Sequence, residues 1–248
     1  MAIKFNHKPG LVVYLTAGDP SLDATRAIVL AAIDAGADVI ELGVPFSDPL
    51  ADGPIIQRAM ERAVARGVRL ADVLHLAKEI RAERPAAGLV IFSYLNPILR
   101  YGLTRFADDA AAAGVDGVLT TDMIVEEAGD YLAELGRVGL APIFLAAPTS
   151  TDERLKLIAR YSSGFVYLVS RTGITGEQSD IAASALPLIE RMRAHTDLPL
   201  AMGFGISKPE HVAALRGAVD AVVVGSAIVR QIERDSSKLE EFMRHLVS

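Results

Sequence analysis

Two carboxylates stand near the ends of one proline-rich segment. Residues 39–54 read VIELGVPFSDPLADGP, with Glu41 inside an apolar run and Asp52 eleven positions later. If Ile40 and Leu42 contact helices, strand alternation turns Glu41 toward the opposite face. A carboxyl group buried there has a raised pKa, which general acid–base catalysis near neutral pH requires. An ion pair between Glu41 and a Lys or Arg is the structural alternative.

Asp52 lies in a loop that contains Pro45, Pro49 and Pro54. Prolines restrict the unfolded chain and help to hold a side chain in one place, so this loop is suited to present a carboxylate. Asp also commonly begins helices as an N-cap, which would be its role before a helix starting near Gly53. The two roles are compatible, and both stay open at this point.

Two glycine motifs predict a site for a phosphate group. Residues 203–207 read GFGIS and include Phe204 and Gly205, and the pair Gly225-Ser226 follows a later apolar run. Glycine lets the backbone approach an anion, and a helix N-terminus offers unpaired N–H groups with a favourable dipole. Either motif alone also fits an ordinary turn. Together they predict phosphate binding.

A third segment has the composition of a lid. Residues 170–176 read SRTGITG and include Thr175 and Gly176. Two glycines, small hydroxyl side chains and little apolar anchoring are typical of a loop that closes over a substrate. An ordinary disordered loop has the same composition.

The elements that must position these residues are short apolar runs followed by helical periodicity. Apolar runs separated by amphipathic segments indicate parallel strands buried on both faces. Eight such units favour closure into a barrel. The predicted strands are Leu11–Thr16, Val39–Leu42, Leu89–Ser93, Gly117–Thr120, Ala141–Leu145, Phe165–Val169, Leu198–Met202 and Ala221–Val224.

The fold class is therefore α/β, a (β/α)₈ TIM barrel with extra helices, forming one domain over residues 1–248. Residues 54–66 and 70–84 predict two helices, rather than one, between the second and third strands. An open doubly wound sheet shares the alternation, but such sheets usually carry a nucleotide fingerprint after the first strand. The segment TAGDP at residues 16–20 contains no GxGxxG.

One turn pattern recurs three times before a strand. Gly36, Gly114 and Gly217 are each followed within three residues by Asp38, Asp116 or Asp220. A glycine can end a helix in the left-handed conformation, and the aspartate then turns the chain into the next strand.

Composition excludes several classes of protein. The chain has 248 residues and no cysteine, which removes thiol and disulfide chemistry. The formal charge of −6 has no Lys/Arg cluster, so we expect no nucleic-acid or membrane partner, and a cytoplasmic location. The five histidines show no ligand spacing, so we predict no metal.

The sequence resembles the α-subunit family of tryptophan synthases. The similarity runs from about residue 9 to the end, and the segment at residues 41–54 is highly specific. The matching segments are YLTAGDP (14–20), ELGVPFSDPLADGP (41–54), YLNPILRYG (94–102), FVYLVSRTGITG (165–176), GFGIS (203–207) and VGSAIV (224–229).

The resemblance implies cleavage of indole-3-glycerol phosphate to indole and glyceraldehyde 3-phosphate. Glu41 matches the acid–base residue of the family, and Asp52 matches the carboxylate that accepts the indole N–H. Tyr167 matches a tyrosine near Glu41, and Thr175 matches a lid residue that bonds Asp52. The other implied substrate contacts are Tyr14, Ile56 and Phe92 around the indole, and Gly176, Phe204, Gly205, Gly225 and Ser226 around the phosphate.

The resemblance also implies a partner. The family works with a β subunit in an αββα complex, and that subunit uses pyridoxal phosphate; this chain itself is expected to need no cofactor. Two alternatives stay open. One is a stand-alone lyase that releases free indole, and the other is a non-catalytic barrel that binds a phosphorylated ligand and regulates a partner.

The chain departs from the family pattern at three places. Only Met1–Pro9 precede the first strand, where the family usually has a helix covering the barrel bottom. Met123-Ile124-Val125 replaces the usual residues after Asp122, and Glu177 stands where an Arg is common. The first departure leaves the cover of the barrel bottom open, and the other two bear on the lid and on coupling to the partner.

Overall fold

Nine parallel strands form the wall of a barrel in the computed structural model, which describes residues 3–169, 178–203 and 205–247. Strand order around the wall is β5-β4-β3-β2-β1-β9-β8-β7-β6. The strands are β1 (Gly10–Thr16), β2 (Val39–Gly43), β3 (Gly88–Ser93), β4 (Gly117–Thr120), β5 (Ala141–Ile143), β6 (Leu145–Ala146), β7 (Val166–Val169), β8 (Leu200–Gly203) and β9 (Ala221–Val224).

The fifth predicted strand, 141–145, is the one that the structure divides. β5 pairs with β4, and β6 pairs with β7, with Phe144 between them. Phe144 still accepts a hydrogen bond from the amide of Tyr167 at 3.1 Å. The chain here passes from one neighbouring strand to the other, so the barrel closes through a single staggered segment. The predicted barrel is confirmed, and the uninterrupted fifth strand is corrected.

Helices surround the wall, and two of them lie between β2 and β3 as predicted. α4 and α5 lie between β3 and β4. The helices are α1 (Leu22–Asp34), α2 (Pro54–Ala65), α3 (Leu70–Glu83), α4 (Leu95–Tyr101), α5 (Leu103–Ala112), α6 (Gly129–Val138), α7 (Asp152–Tyr161), α8 (Gln178–Arg193), α9 (Pro209–Leu215), α10 (Ser226–Asp235) and α11 (Leu239–Val247).

Alternation along each strand divides the core into an outer and an inner part. In β1, Leu11, Val13 and Leu15 belong to the outer cluster between wall and helices, whereas Val12 and Tyr14 belong to the inner cluster. All seven residues of β1 are buried. A strand covered on both faces needs apolar residues at nearly every position, which explains the continuous apolar runs of the sequence.

The three Gly–Asp turns share one hydrogen-bonded arrangement. Gly36, Gly114 and Gly217 have φ of +104°, +77° and +85°, as expected for left-handed helix ends. Each aspartate then contacts a leucine of the strand beside the one it precedes. The carboxylates of Asp38, Asp116 and Asp220 accept hydrogen bonds at 2.9 Å from the amides of Leu11, Leu89 and Leu200, respectively.

The backbone amides of the same aspartates donate to the carbonyls of the same leucines, at 2.9, 2.8 and 3.0 Å. Each pair is thus joined at two points. These joints lie at the amino-terminal end of the barrel, opposite the end where β2 presents Gly43. We call them the three aspartate–leucine joints.

The amino-terminal end of the barrel is filled by residues that precede β1. Ile3 is buried in the inner cluster, and Phe5 packs edge-on against Phe165 with ring centroids 6.0 Å apart. The amide of Asn6 donates to Asp38 at 2.9 Å, which fixes this segment to the first joint. The short segment therefore covers the barrel bottom that the resemblance left open.

Candidate active site

Glu41 lies on β2 and projects into the barrel. In register it stands between Tyr14 of β1 and Val90 of β3. Ile40 and Leu42 belong to the outer cluster, as the alternation predicted. The side chain of Glu41 is 0% exposed, and neither carboxyl oxygen has a hydrogen-bond partner among the described residues. Within those residues, the alternative of an ion pair with Lys or Arg is not what the structure shows.

Burial without a partner determines the protonation of Glu41. Removing a carboxylate from water favours its neutral form, and this desolvation raises the pKa of Glu41 to about 8. A carboxyl group with such a pKa can both give and accept a proton at physiological pH.

Aromatic rings enclose Glu41. Tyr14 and Phe92 pack edge-to-face with centroids 4.9 Å apart, and Tyr167 comes from β7 on the other side of the barrel. Burial, and then the two carboxylates Glu41 and Asp52, raise the pKa of both Tyr14 and Tyr167 well above the ordinary value. Both phenols are therefore neutral and give the site flat apolar walls with hydroxyl groups at their ends.

Two glycines make room for these phenols. A Cβ on Gly203 would lie 2.5 Å from Cζ and 2.6 Å from Cε1 of Tyr167. A Cβ on Gly43 would lie 2.7 Å from Cζ and 2.8 Å from Cε2 of Tyr14. Real side chains do not approach so closely, so each ring occupies the volume that any larger residue would need.

Asp52 lies in the loop between β2 and α2. Its Oδ2 accepts a hydrogen bond from the Tyr94 hydroxyl at 2.7 Å. Desolvation raises the pKa of Asp52 to about 6, against the opposing effect of this hydrogen bond. The N-cap of α2 is Gly53, which provides no side-chain cap. Asp52 therefore does not have the N-cap role that the sequence left open.

The predicted phosphate motifs meet at the carboxyl-terminal end of the barrel. Gly225 is the N-cap of α10 and Ser226 its first residue, so the first amides of this ten-residue helix face the site. Gly205, after β8, has φ of +77°. A Cβ on Gly225 would lie 3.4 Å from Cδ1 of Tyr14, so this turn adjoins the aromatic walls directly.

One cavity of about 940 Å³ is lined both by the two carboxylates and by the glycine turns. It is lined by nine residues predicted from the sequence, namely Tyr14, Glu41, Asp52, Ile56, Phe92, Tyr167, Gly205, Gly225 and Ser226. The remaining predicted residues, Thr175, Gly176 and Phe204, lie outside the described residues, as does Glu177. The structure thus brings together carboxylates at one end and glycine turns at the other.

Three basic residues line the glycine end of the cavity and were not predicted as site residues. They are Lys208, His211 and Arg230. The ring Nδ1 of His211 accepts from the amide of Ser207 at 3.3 Å, which supports the loop carrying Gly205. A signal was present for Arg230, because it stands one helical turn after Ser226. His211 carried no such signal, since its role depends on a loop that folds back onto α9.

None of the helices in the described part of the chain has the length and hydropathy that a membrane span requires. Across that same part of the chain, His, Asp and Glu side chains do not gather in threes suited to a metal ion.

The comparisons with known proteins agree over almost the whole chain. The family model described as "Tryptophan synthase alpha chain" matches residues 1–247. A curated relative of that name from Solibacter usitatus is 58% identical, over 98% of this chain and 93% of its own length. Another, from Geobacter sulfurreducens, is 48% identical over 94% of this chain and 88% of its own length.

Solved structures show the same likeness. Tryptophan synthase subunit alpha from Legionella pneumophila superposes with a TM-score of 0.90 at 35% identity, covering 97% of this chain and 92% of that one. A chain of tryptophan synthase from M. tuberculosis, in its aminoacrylate-bound form, gives 0.89 at 38% identity, covering 96% and 92%.

Proposed function

The chain belongs to the tryptophan synthase alpha chain family, and from that premise we propose that Glu41 and Asp52 perform the chemistry of its reaction. The protein is a lyase of tryptophan biosynthesis that cleaves indole-3-glycerol phosphate. The observation that carries the proposal is Glu41, a buried carboxyl group without a partner among the described residues, in the same cavity as Asp52 and the glycine turns.

Cleavage requires a proton at indole C3 and stabilisation of positive charge at N1. Glu41 donates the proton to C3, and the ionised Asp52 accepts the N–H and stabilises the cationic ring. Glu41, ionised by that transfer, then removes the proton of the glyceryl hydroxyl next to the bond that breaks. The electron pair of that C–C bond returns to the ring and neutralises N1, while the hydroxyl becomes the aldehyde. One proton is given and one is taken.

The remaining residues bind the substrate. Tyr14, Ile56, Phe92 and Tyr167 hold the indole between apolar walls. Gly205, Gly225 and Ser226 bind the phosphate, and we extend this set to Gly176, Phe204 and the lid residue Thr175 on the family pattern. Binding the phosphate away from the reacting carbons anchors the substrate and supplies orientation.

A partner surface is proposed at the same end of the barrel. Leu50, Leu99 and Ile124 are large apolar side chains exposed to 82%, 56% and 44%. They follow the neighbouring strands β2, β3 and β4, and the amide of Leu95 bonds Asp122 at 2.7 Å to join the last two segments. Large apolar side chains exposed on neighbouring segments are typical of protein interfaces.

We infer that a β subunit covers this surface in an αββα complex. Pyridoxal phosphate would belong to that subunit, and this chain, as one cytoplasmic domain of residues 1–248, would use none. The alternative is a stand-alone lyase. An indole-release assay on the purified chain, with and without β subunit, separates them. Activation by β subunit supports the complex, and unchanged release supports the stand-alone lyase. No release in either case would contradict the roles given to Glu41 and Asp52.

The raised pKa values predict a bell-shaped pH dependence of kcat/KM. Asp52 must be ionised, so kcat/KM should rise through about pH 6. Glu41 must first be protonated to supply C3, so it should fall through about pH 8. The measurement is initial indole release at low substrate from pH 5 to 9. A flat profile through either region contradicts the role given to that carboxyl group.

Ser226→Glu should raise the KM for indole-3-glycerol phosphate by about tenfold, because it places a negative charge beside the phosphate dianion. The matched control is Gln231→Glu, which adds the same charge on α10 at a residue that does not line the cavity. Steady-state kinetics at pH 7.5 measure both. If the two variants have equal KM, the phosphate does not bind at Ser226.

A further inference from the structure

Tyr94 connects the loop that carries Asp52 to the rigid end of β3. The residue directly follows Ser93, the last of β3, and is the N-cap of α4. Its side chain is 3% exposed. It does not line the cavity, so it is not positioned to touch the substrate.

Three contacts along one loop converge on Tyr94. Its ring packs against Phe46 with centroids 5.1 Å apart. Its hydroxyl accepts a hydrogen bond from the amide of Ala51 at 2.9 Å and donates one to Oδ2 of Asp52 at 2.7 Å. A hydroxyl that accepts from one residue and donates to the next fixes both the loop backbone and the carboxylate.

We propose that Tyr94 is a positioning residue of the lyase, which orients Asp52 so that one carboxylate oxygen stays free for the indole N–H. The proposal rests on the role of Asp52 given above. Oδ2 is engaged by Tyr94, whereas Oδ1 has no hydrogen bond to another described residue. Because Asp52 lines the cavity and Tyr94 holds its Oδ2, Oδ1 is the oxygen that is left to accept the indole N–H.

The same bond acts on the charge of Asp52. Burial, followed by the hydrogen bond to Asp52, raises the pKa of Tyr94, so the phenol remains a neutral donor over the working pH range. A donor stabilises the ionised form of its acceptor, and the Tyr94 bond lowers the pKa of Asp52 against the effect of burial. Removing the hydroxyl should therefore leave Asp52 protonated at higher pH.

Other charged and titratable groups face the same cavity from the surrounding elements. They are Tyr14 on β1, Glu41 on β2, Tyr167 on β7, Lys208 and His211 beside and on α9, and Arg230 on α10. Among the described residues, only Tyr94 donates a side-chain hydrogen bond to Asp52. A change at Tyr94 should thus move the titration of Asp52 and leave that of Glu41 in place.

The test is the pH profile of Tyr94→Phe, which keeps the ring on Phe46 and removes only the hydroxyl. We expect the ascending limb of kcat/KM to move up by about one pH unit, with the descending limb unchanged. With a pKa near 6, such a shift lowers the ionised fraction of Asp52 at pH 6 from about one half to about one tenth. We also expect kcat at pH 7.5 to fall about tenfold with a smaller change in KM.

Tyr131→Phe is the matched control. Tyr131 is also 3% exposed and its hydroxyl bonds Thr120, yet it lies in the outer cluster. It should lose stability without any shift of the pH profile. In Asp52→Asn, the further change Tyr94→Phe should cost nothing more in kcat.

The outcomes separate this proposal from the proposed function. If Asp52→Asn turns over normally, the role of Asp52 is wrong. If Asp52→Asn is impaired but Tyr94→Phe has the wild-type profile and kcat, the positioning role alone is overturned. An equal shift in Tyr131→Phe, or a further loss in the double variant, would also overturn it.

Discussion

Glu41→Gln should lose at least about a thousandfold in kcat for indole release, because an amide can neither give a proton to C3 nor take one from the glyceryl hydroxyl. Gln has nearly the same shape, so the walls formed by Tyr14 and Tyr167 should stay in place. Binding of the product glyceraldehyde 3-phosphate should therefore remain within about threefold of wild type. Retained turnover would remove Glu41 from the mechanism.

The same substitution should make the protein more stable at alkaline pH. The folded protein raises the pKa of Glu41 from 4.5 to about 8, so ionising this group disfavours folding. Glu41 does not change the free energy of unfolding below pH 4.5. Its ionisation lowers this free energy as the pH rises from 4.5 toward 8, and the loss is constant above pH 8. The difference between the two pKa values limits this loss of unfolding free energy to about 5 kcal/mol. Glutamine does not ionise, so the Glu41→Gln protein does not lose this stability.

Chemical denaturation of wild type, Glu41→Gln and a control at pH 5, 7 and 9 measures this effect. Glu61→Gln is the control, because Glu61 is an exposed residue of α2. The advantage of Glu41→Gln over wild type should grow from pH 5 to pH 9, whereas Glu61→Gln should show no such trend. Parallel pH dependences for all three proteins would mean that Glu41 is not held in an unfavourable environment. A gain in stability with a loss of activity is the usual mark of a functional group.

Gly203→Ala should reduce kcat/KM about a hundredfold. The new Cβ would occupy the place of the Tyr167 phenol, so the ring must move toward Glu41 or out of the cavity. Displacing one wall of a catalytic site by about an ångström misorients the bound substrate, which is sufficient for a loss of that size. Overpacking should also cost about 1 to 3 kcal/mol of stability.

Two further variants define this effect. Gly43→Ala should behave alike through Tyr14, since the two glycines hold equivalent positions beside the two tyrosines. Gly136→Ala is the control, because a Cβ there meets nothing within 4 Å. Crystal structures of all three variants show whether a tyrosine ring moves, and steady-state kinetics measure kcat/KM. A Gly203→Ala protein with wild-type kinetics and an unmoved Tyr167 ring would refute the packing argument.

The sequence predicted the elements of this fold because most of the strands are buried on both faces. The long gap after β2 correctly predicted two helices, α2 and α3. The interruption at Phe144 was missed, since hydrogen bonding to two different neighbours leaves no mark on an apolar run. Its position depends on the stagger of the closed barrel, which is a property of all the strands together.

The candidate site likewise contains residues that could be predicted from the sequence and residues that could not. Glu41 could be assigned because a charged residue in a buried strand is costly and therefore conspicuous. Tyr94 could not, because its effect depends on the folding of the loop around Ala51 back to β3. Lys208 and His211 were missed for the same reason, as their place at the cavity follows from the loop geometry after β8.

The three aspartate–leucine joints destabilise any arrangement in which neighbouring strands are out of register. If a strand slid by one residue against its neighbour, the leucine amide would no longer meet the aspartate carboxylate. Each joint would then lose the hydrogen bond from the leucine amide and the return bond from the aspartate amide to the leucine carbonyl. The aspartates thus select one alignment during folding, at the end of the barrel where no substrate has to enter.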